Sequence, residues 1–389
     1  MARLSVVKRQ EAPFQKAFLR HRLIHTLPLA RASNSRPHTR RERHMSSTAS
    51  VHARIAAQAP ASSTRARAMS RRASRRSAAA AASTSGASAP ALEGHRPREL
   101  LVVGPGVLGS RIARVWLDRY PGAVVVGQTN TTASHAGLTS LGVSPRVKNF
   151  DEDEPSAKRT FPYVVFSAPP SGSEDYAGEV QAALKYWNGR GAFVFTSSSA
   201  VYKNESGDAC DEDSETYELG ANPRVDRLLK AEGIVLNAGG IVCRLAGLYH
   251  SERGAHKYFI KTPTLDSRAD ALVNLIHYED AADLCVAALT SGSPSTVYLG
   301  TDGAPVTRGD IARLTVESGV YADAAAPTFT QTEGPRGRVM SNPRTRERLA
   351  WTPKYASFES FMTEGQARDA YSPVASTRWA PRGRAHEAK

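Results

Sequence analysis

Gly104, Gly106 and Gly109 stand in the spacing Gly-x-Gly-x-x-Gly, directly after the apolar run Leu100-Leu101-Val102-Val103. In that context the first glycine makes a tight turn, and the second lets the backbone approach a pyrophosphate. The third lets a helix close on a strand. Val107 and Leu108 open that helix, whose free N–H groups and positive dipole end suit phosphate oxygens. These five residues are the candidate cofactor cradle. The competing reading is a glycine-rich turn that binds nothing.

Three further groups carry candidate chemistry. Ser197-Ser198-Ser199-Ala200-Val201-Tyr202 follows the strand-like run Ala192–Thr196 and places hydroxyls at a strand end, where open α/β sheets bind ligands. The run 123–127 ends in Gln128-Thr129-Asn130-Thr131-Thr132, with no acid where an NAD site puts one to hold the ribose 2′-hydroxyl. Without that carboxylate nothing repels a 2′-phosphate, and Thr129, Thr131 and Thr132 offer it donors. The reading therefore favours NADP over NAD. Ala168-Pro169-Pro170, after the strand Tyr163–Ser167, makes a rigid loop on the side expected for the nicotinamide ribose.

These residues need strands and helices in alternation, and from Arg98 onward the pattern supplies them. The fold class expected is α/β, a Rossmann-type doubly wound parallel sheet with a small C-terminal substrate lobe from about residue 250. Helices are expected over 174–187, 278–289 and 308–318, a loop over 320–340, and 342–349 and 358–367 are expected to close the small lobe. The acidic run Asp208-Ala209-Cys210-Asp211-Glu212-Asp213 reads as a solvated loop rather than a metal site. Cys210, Cys243 and Cys285 have no metal-type spacing, and their odd number argues against a disulfide framework. No metal is assigned.

The chain resembles the extended or atypical short-chain dehydrogenase/reductase superfamily, of the NAD-dependent epimerase/dehydratase kind. Beside the glycines, Ser197–Tyr202 is similar to that family's Ser-Ser-x-x-Val-Tyr strand end. Arg244 to Tyr249 is similar to its Arg-x-x-x-x-Tyr segment, and His277–Ala282 to its His-x-x-Asp-x-Ala helix start. Leu349-Ala350-Trp351-Thr352-Pro353 is similar to its Leu-Gly-Trp-x-Pro segment. The resemblance spans roughly residues 98–365. It implies that Ser198 bonds a substrate oxygen and that Tyr202 and Tyr249 lie on the substrate side.

The family's Tyr-x-x-x-Lys pair does not carry over. Counting back from Ala231-Glu232 puts Arg224 and Leu228 at its two positions. Arginine stays protonated and is no general acid, and leucine neither tunes a phenol nor binds a ribose. Tyr217 is followed four residues on by Ala221, and Lys230 points elsewhere on the helix. Arg224 and Arg227, at i and i+3, are read as a clamp for an anionic group.

The chain has 389 residues and a formal charge of +14. Residues 1–92 hold 18 Lys/Arg against two Asp/Glu, whereas 93–389 hold 33 against 35. The basic character therefore belongs to the first segment, and the body argues against nucleic-acid binding. Residues 1–92 are Arg-, Ser- and Ala-rich and read as a disordered transit peptide, chloroplast before mitochondrion. The stretch from Met45 to Ala82 has this composition by itself, so Met45 is a candidate start. Residues 93–372 form the NAD(P)-binding domain and 373–389 a disordered tail. No apolar run reaches the ~18–20 residues of a membrane helix. The reading is an NAD(P)-binding epimerase/dehydratase-like or oxidoreductase protein acting on a small molecule. The alternatives are a catalytically silent dinucleotide sensor or assembly factor, or a plastid RNA-binding protein on the same fold. Substrate and oligomeric state stay open.

Overall fold

The computed structural model describes residues 98–148, 158–203 and 205–364. The basic segment and the C-terminal tail lie outside them. Seven strands form the main sheet: β1 (Glu99–Val103), β2 (Val124–Thr129), β3 (Ser144–Val147), β4 (Tyr163–Phe166), β5 (Phe193–Ser198), β6 (Ile241–Leu245) and β7 (Val297–Gly300). They are all parallel and run in the order 3-2-1-4-5-6-7. The order reverses between β1 and β4, so a crevice opens above their carboxyl ends.

Helices α1 (Val107–Arg119), α2 (His135–Ser140), α3 (Tyr176–Leu184) and α4 (Pro223–Asn237) connect these strands. After β6 come α5 (Ala255–Phe259), α6 (Tyr278–Ser291), α7 (Arg308–Glu317), α8 (Pro343–Leu349) and α9 (Phe358–Thr363). Alternate residues of β1 serve the two faces, as the period of a strand requires. Leu100 and Val102 pack with Ile112 and Trp116 of α1 and Cys285 of α6. Leu101 and Val103 pack with Val180 of α3 and Leu228 and Val235 of α4.

A third apolar cluster (Tyr249, Phe259, Leu265, Ile311, Phe358 and Phe361 among its members) is the core of the small lobe. Short strand pairs frame it: 206–210 with 337–340, 247–249 with 275–277, and 264–268 with 328–331, all parallel. The stretch 320–340 therefore holds two strands where a loop was expected. Their partners come from distant sequence, and neither strand alternates clearly by itself. The first of these outer strands, Ser206–Cys210, precedes the lobe start expected near residue 250.

The acidic run divides its labour and is not simply solvated. Glu212 is buried and accepts the Thr345 N–H (2.9 Å) and hydroxyl (2.6 Å), which fixes the start of α8. Asp213 pairs with Arg344. At the start of α6, Asp280 accepts the backbone N–H groups of Lys354 (2.7 Å) and Tyr355 (3.0 Å). That bond pair bolts the Trp351–Pro353 segment to the sheet layer. Ala350 ends α8 with φ of +47°, the left-handed position where the family pattern has glycine.

No helix among the described residues is long and apolar enough to cross a membrane. No cluster of three potential metal-ligating side chains occurs among them.

Candidate functional site

The three glycines are not equivalent. Gly104 has φ of +77°, and a Cβ there would lie 2.6 Å from the backbone N and Cα of Ala168. A Cβ on Gly109 would lie 2.7 Å from the Gly104 carbonyl oxygen and 3.0 Å from Val102 Cγ1. Both are glycine because β1, α1 and the loop after β4 press together there. Gly106 differs: a Cβ on it meets nothing nearer than the Gly104 oxygen at 3.9 Å. The fold makes no use of its missing side chain. Gly106 is the N-cap of α1, and no side chain caps the helix. The N–H groups of Val107, Leu108 and Gly109 thus open the helix without a side-chain acceptor. Leu108 itself packs into the core, so it offers a ligand only its backbone.

The glycine loop and the loop after β4 meet, as the contact between Gly104 and Ala168 shows. Ser167 N–H donates to Val103 O (2.8 Å), and the Tyr176 hydroxyl donates to Ala168 O (2.8 Å). Ala168 is half-buried and Pro169 exposed. The Ser167 hydroxyl, which the sequence reading passed over, is buried and has no hydrogen-bond partner among the described residues. A pyrophosphate-bearing ligand fits both features: an open position at Gly106 and an unpartnered hydroxyl at the adjoining strand end.

At the end of β2 one expectation needs correcting. Thr129 Oγ1 is engaged with Thr131 O (2.8 Å), Arg146 O (3.2 Å) and His135 Nε2 (2.9 Å). It fastens the turn and is not available to a ribose phosphate. Thr131 and Thr132 are exposed. Arg146, opposite Gln128 on β3, donates to Gln128 Oε1 (2.9 Å), and its guanidinium lies 4.6 Å from the Tyr186 ring centroid. Nothing in the sequence marked it, because its strand is short and contains Pro145.

Ser198 closes β5 as the N-cap of a single 3-10 turn, Ser199–Val201. Its hydroxyl accepts the Ala200 N–H (3.2 Å), which leaves its own proton to donate to another oxygen. Ser197 points the other way and donates to Glu232 Oε1 (2.5 Å). Glu232 is 2% exposed and bridges to Arg244 by Nη2 at 2.7 Å and Nε at 3.2 Å. Tyr202 is 0% exposed beneath that guanidinium, 4.8 Å from ring centroid to Arg244 Cζ. Burial pushes its phenol up to about 12. Tyr202 is therefore packing, not a substrate residue. So is Tyr249, 0% exposed among His277, Phe358 and Phe361, with burial raising its phenol further.

Helix α4 carries positions 224, 228 and 232 one above the other. Glu232 reaches the buried pair, Leu228 is buried, and Arg224 is exposed. The Arg224/Arg227 clamp does not form as a pair. Arg227 reaches to the carbonyls of Pro170 (3.4 Å) and Ser173 (3.5 Å), which tethers the loop after β4. Tyr217 is drawn in elsewhere: its N–H donates to Val201 O (2.9 Å) and its hydroxyl to Glu205 Oε1 (3.3 Å). Burial and the Glu205 carboxylate raise its phenol, the reverse of what an acid/base tyrosine needs.

No family model matches the chain, and no curated protein matches it by sequence. Solved structures do match. A conserved protein of unknown function from Silicibacter pomeroyi has a TM-score of 0.57 at 20% identity, covering 70% of this chain and 99% of its own. The dTDP-glucose 4,6-dehydratase of Bacillus anthracis in complex with NAD has a TM-score of 0.55 at 15% identity, covering 71% and 99%. The UDP-glucose 4-epimerase of Thermotoga maritima with UDP-glucose has a TM-score of 0.54 at 16% identity, covering 68% and 96%. At these identities the likeness is one of fold: the chain has a Rossmann-type α/β fold like that of these epimerase and dehydratase structures.

Proposed function

We propose that this protein binds NAD(P) in the crevice above Gly104–Gly109 and acts on a small molecule as an oxidoreductase or epimerase/dehydratase-like enzyme. The observation that carries the reading is Gly106, a glycine whose empty side the fold itself does not need. When bound, the nicotinamide supplies a hydride acceptor or donor. The N–H groups opening α1 hold the pyrophosphate. Ser198 would position the ligand's reacting oxygen by a hydrogen bond from its hydroxyl, and exposed Arg224 would meet an anionic part of the substrate. Because Leu228 replaces the family's lysine, the proton comes from water or another group rather than from a Tyr/Lys relay. The dehydratase and epimerase neighbours, solved with NAD and with UDP-glucose, support a nucleotide-linked substrate.

NADP is the preferred cofactor in this reading. The β2 end carries no carboxylate, Thr131 and Thr132 are open, and the Arg146 cation stands beside Gln128. A second reading, a silent dinucleotide-binding sensor, is favoured by the residues at 224 and 228 alone. The basic segment would direct the protein to the chloroplast, which a fluorescent fusion of residues 1–92 tests.

Calorimetric titration of the full chain with NADPH and NADH, repeated with Gly106→Asp, is the decisive experiment. Tight binding of NADPH that the variant loses is the expected result. Binding of neither cofactor to the unaltered chain refutes both readings.

A further inference from the structure

The serine turn cannot hold itself. A three-residue 3-10 segment closes with one weak backbone bond, here Tyr202 N–H to Ser199 O at 3.3 Å. Val201 O also accepts the Tyr217 N–H (2.9 Å), and a further restraint comes from far along the chain. Arg338, 9% exposed, donates from Nη1 to Ser199 O (3.1 Å) and to Tyr202 O (2.7 Å), the two ends of the turn. Its Nη2 lies 3.5 Å from Glu205 Oε1, the carboxylate that also receives the Tyr217 hydroxyl.

Arg338 is itself fixed. Asn274, buried, donates to Arg338 O (2.8 Å) and accepts the Met340 N–H (2.9 Å). Just before it, Gly337 has φ of +78°, and a Cβ there would lie 2.2 Å from Leu272 O. The strand carrying the arginine is thus seated tightly against the lobe.

We propose that Arg338 is a positioning residue that sets the serine turn, and through it the direction of the Ser198 hydroxyl. The inference rests on the reading of Ser198 as a ligand-facing donor. The logic is geometric. Ser198 stays in its rotamer because its oxygen caps the Ala200 N–H, and that N–H stays in place because both ends of the turn are tied to one guanidinium. A planar fork spreads its donors over two nitrogens and suits two carbonyls and a carboxylate, whereas a lysine ammonium has three donors on one nitrogen and reaches less far. The small lobe thereby reaches the sheet end and controls a group it does not carry.

The test is hydrogen–deuterium exchange of the full chain with Arg338→Gln and Arg338→Lys, read at residues 198–202. Losing hydrogen bonds from a charged donor predicts exchange there about tenfold faster in Arg338→Gln. Exchange in β1, β4 and α1 is expected to stay unchanged, with partial rescue by Arg338→Lys. An unchanged turn overturns the proposal, as does faster exchange spread evenly through lobe and sheet. NADPH added to the same samples separates the two ideas. If the unaltered chain binds no cofactor, the functional reading fails while the turn result stands. If it binds, Arg338→Gln is expected to retain NADPH affinity within about threefold, since the glycine loop is untouched, yet to lose NADPH-induced protection at 198–202. Retained protection overturns the positioning role.

Discussion

Alanine at Gly104 and alanine at Gly106 should have opposite effects. At Gly104 the backbone is left-handed, which costs an L-residue about 1–2 kcal/mol. The new methyl would also sit 2.6 Å from backbone atoms of Ala168, which have no rotamer to change. Relief requires the loop after β4 to leave the glycine turn, so the total falls among the large single-site losses, roughly 4 kcal/mol. For a domain of this size each kcal/mol lowers Tm by about 2–4 °C, which gives a fall of about 10 °C. At Gly106 φ is −77° and the methyl meets ordinary contact distance, 3.9 Å. Glycine is a better N-cap than alanine and the exchange costs about 0.5–1 kcal/mol, so Tm should fall by no more than ~4 °C. Binding reverses the order. The Gly106 methyl occupies the space through which phosphate oxygens reach the α1 N–H groups. One or two charge-assisted bonds lost correspond to about 10–100-fold weaker NADPH binding. Thermal melts and calorimetry on the two variants read both quantities. Gly106→Ala that melts early yet binds normally would refute the reasoning, because the glycine would then serve the fold and not a ligand.

Other expectations are equally concrete. Thr131→Asp, at an exposed position, should leave Tm unchanged and shift the NADPH-to-NADH affinity ratio toward NADH by about tenfold, by placing a carboxylate near a 2′-phosphate. Glu232→Ala leaves the Arg244 guanidinium buried without its partner and should cost about 3–5 kcal/mol, read as a lower denaturation midpoint. Ala350→Gly should raise Tm by a few degrees by relieving the left-handed backbone at the end of α8. Burial holds Asp280 at about 6 and Asp302 at about 7. Both values exceed those of the unfolded chain, so the native state binds more protons than the unfolded state between about pH 4 and pH 7. Stability from these groups is full below that window and lost as pH rises through it. Asp302→Asn should flatten the Tm-against-pH curve and melt higher than the unaltered chain at pH 8.

The sheet was legible because its strands carry their own signal. Leu100–Val103 and Tyr163–Phe166 are apolar on both faces, and glycines and prolines punctuate them. β3 escaped notice because a four-residue edge strand with Ser144 and Pro145 has neither alternation nor bulk. The strands at 206–210 and 328–340 escaped because their pairing partners lie 60 to 130 residues away, and polar sequence alone reads as loop. At the site, the glycine spacing foretold the loop but not which glycine the protein itself requires. That distinction needs the position of Ala168, supplied by another strand. Ser198 stood out by its place at a strand end, whereas the burial of its two tyrosine companions is something a motif does not reveal. Arg338 was invisible among Arg336, Arg344, Arg346 and Arg348, since only the folded chain shows which arginine turns inward.

The pairing of Ser206–Cys210 with Gly337–Met340 has a consequence for the order in which the protein is made. A ribosome delivers the first strand some 130 residues before the second, and β7 of the main sheet also comes only after residue 296. Until the last lobe strand emerges, the early strand has an unpaired edge and the serine turn lacks the arginine that ties it. The nascent chain therefore carries a nearly complete sheet with an open flank, the kind of surface on which chaperones act and aggregation begins. Assembly of the serine turn is postponed to the final stage of synthesis, so a prematurely terminated chain would contain the glycine loop without the turn's arginine tie.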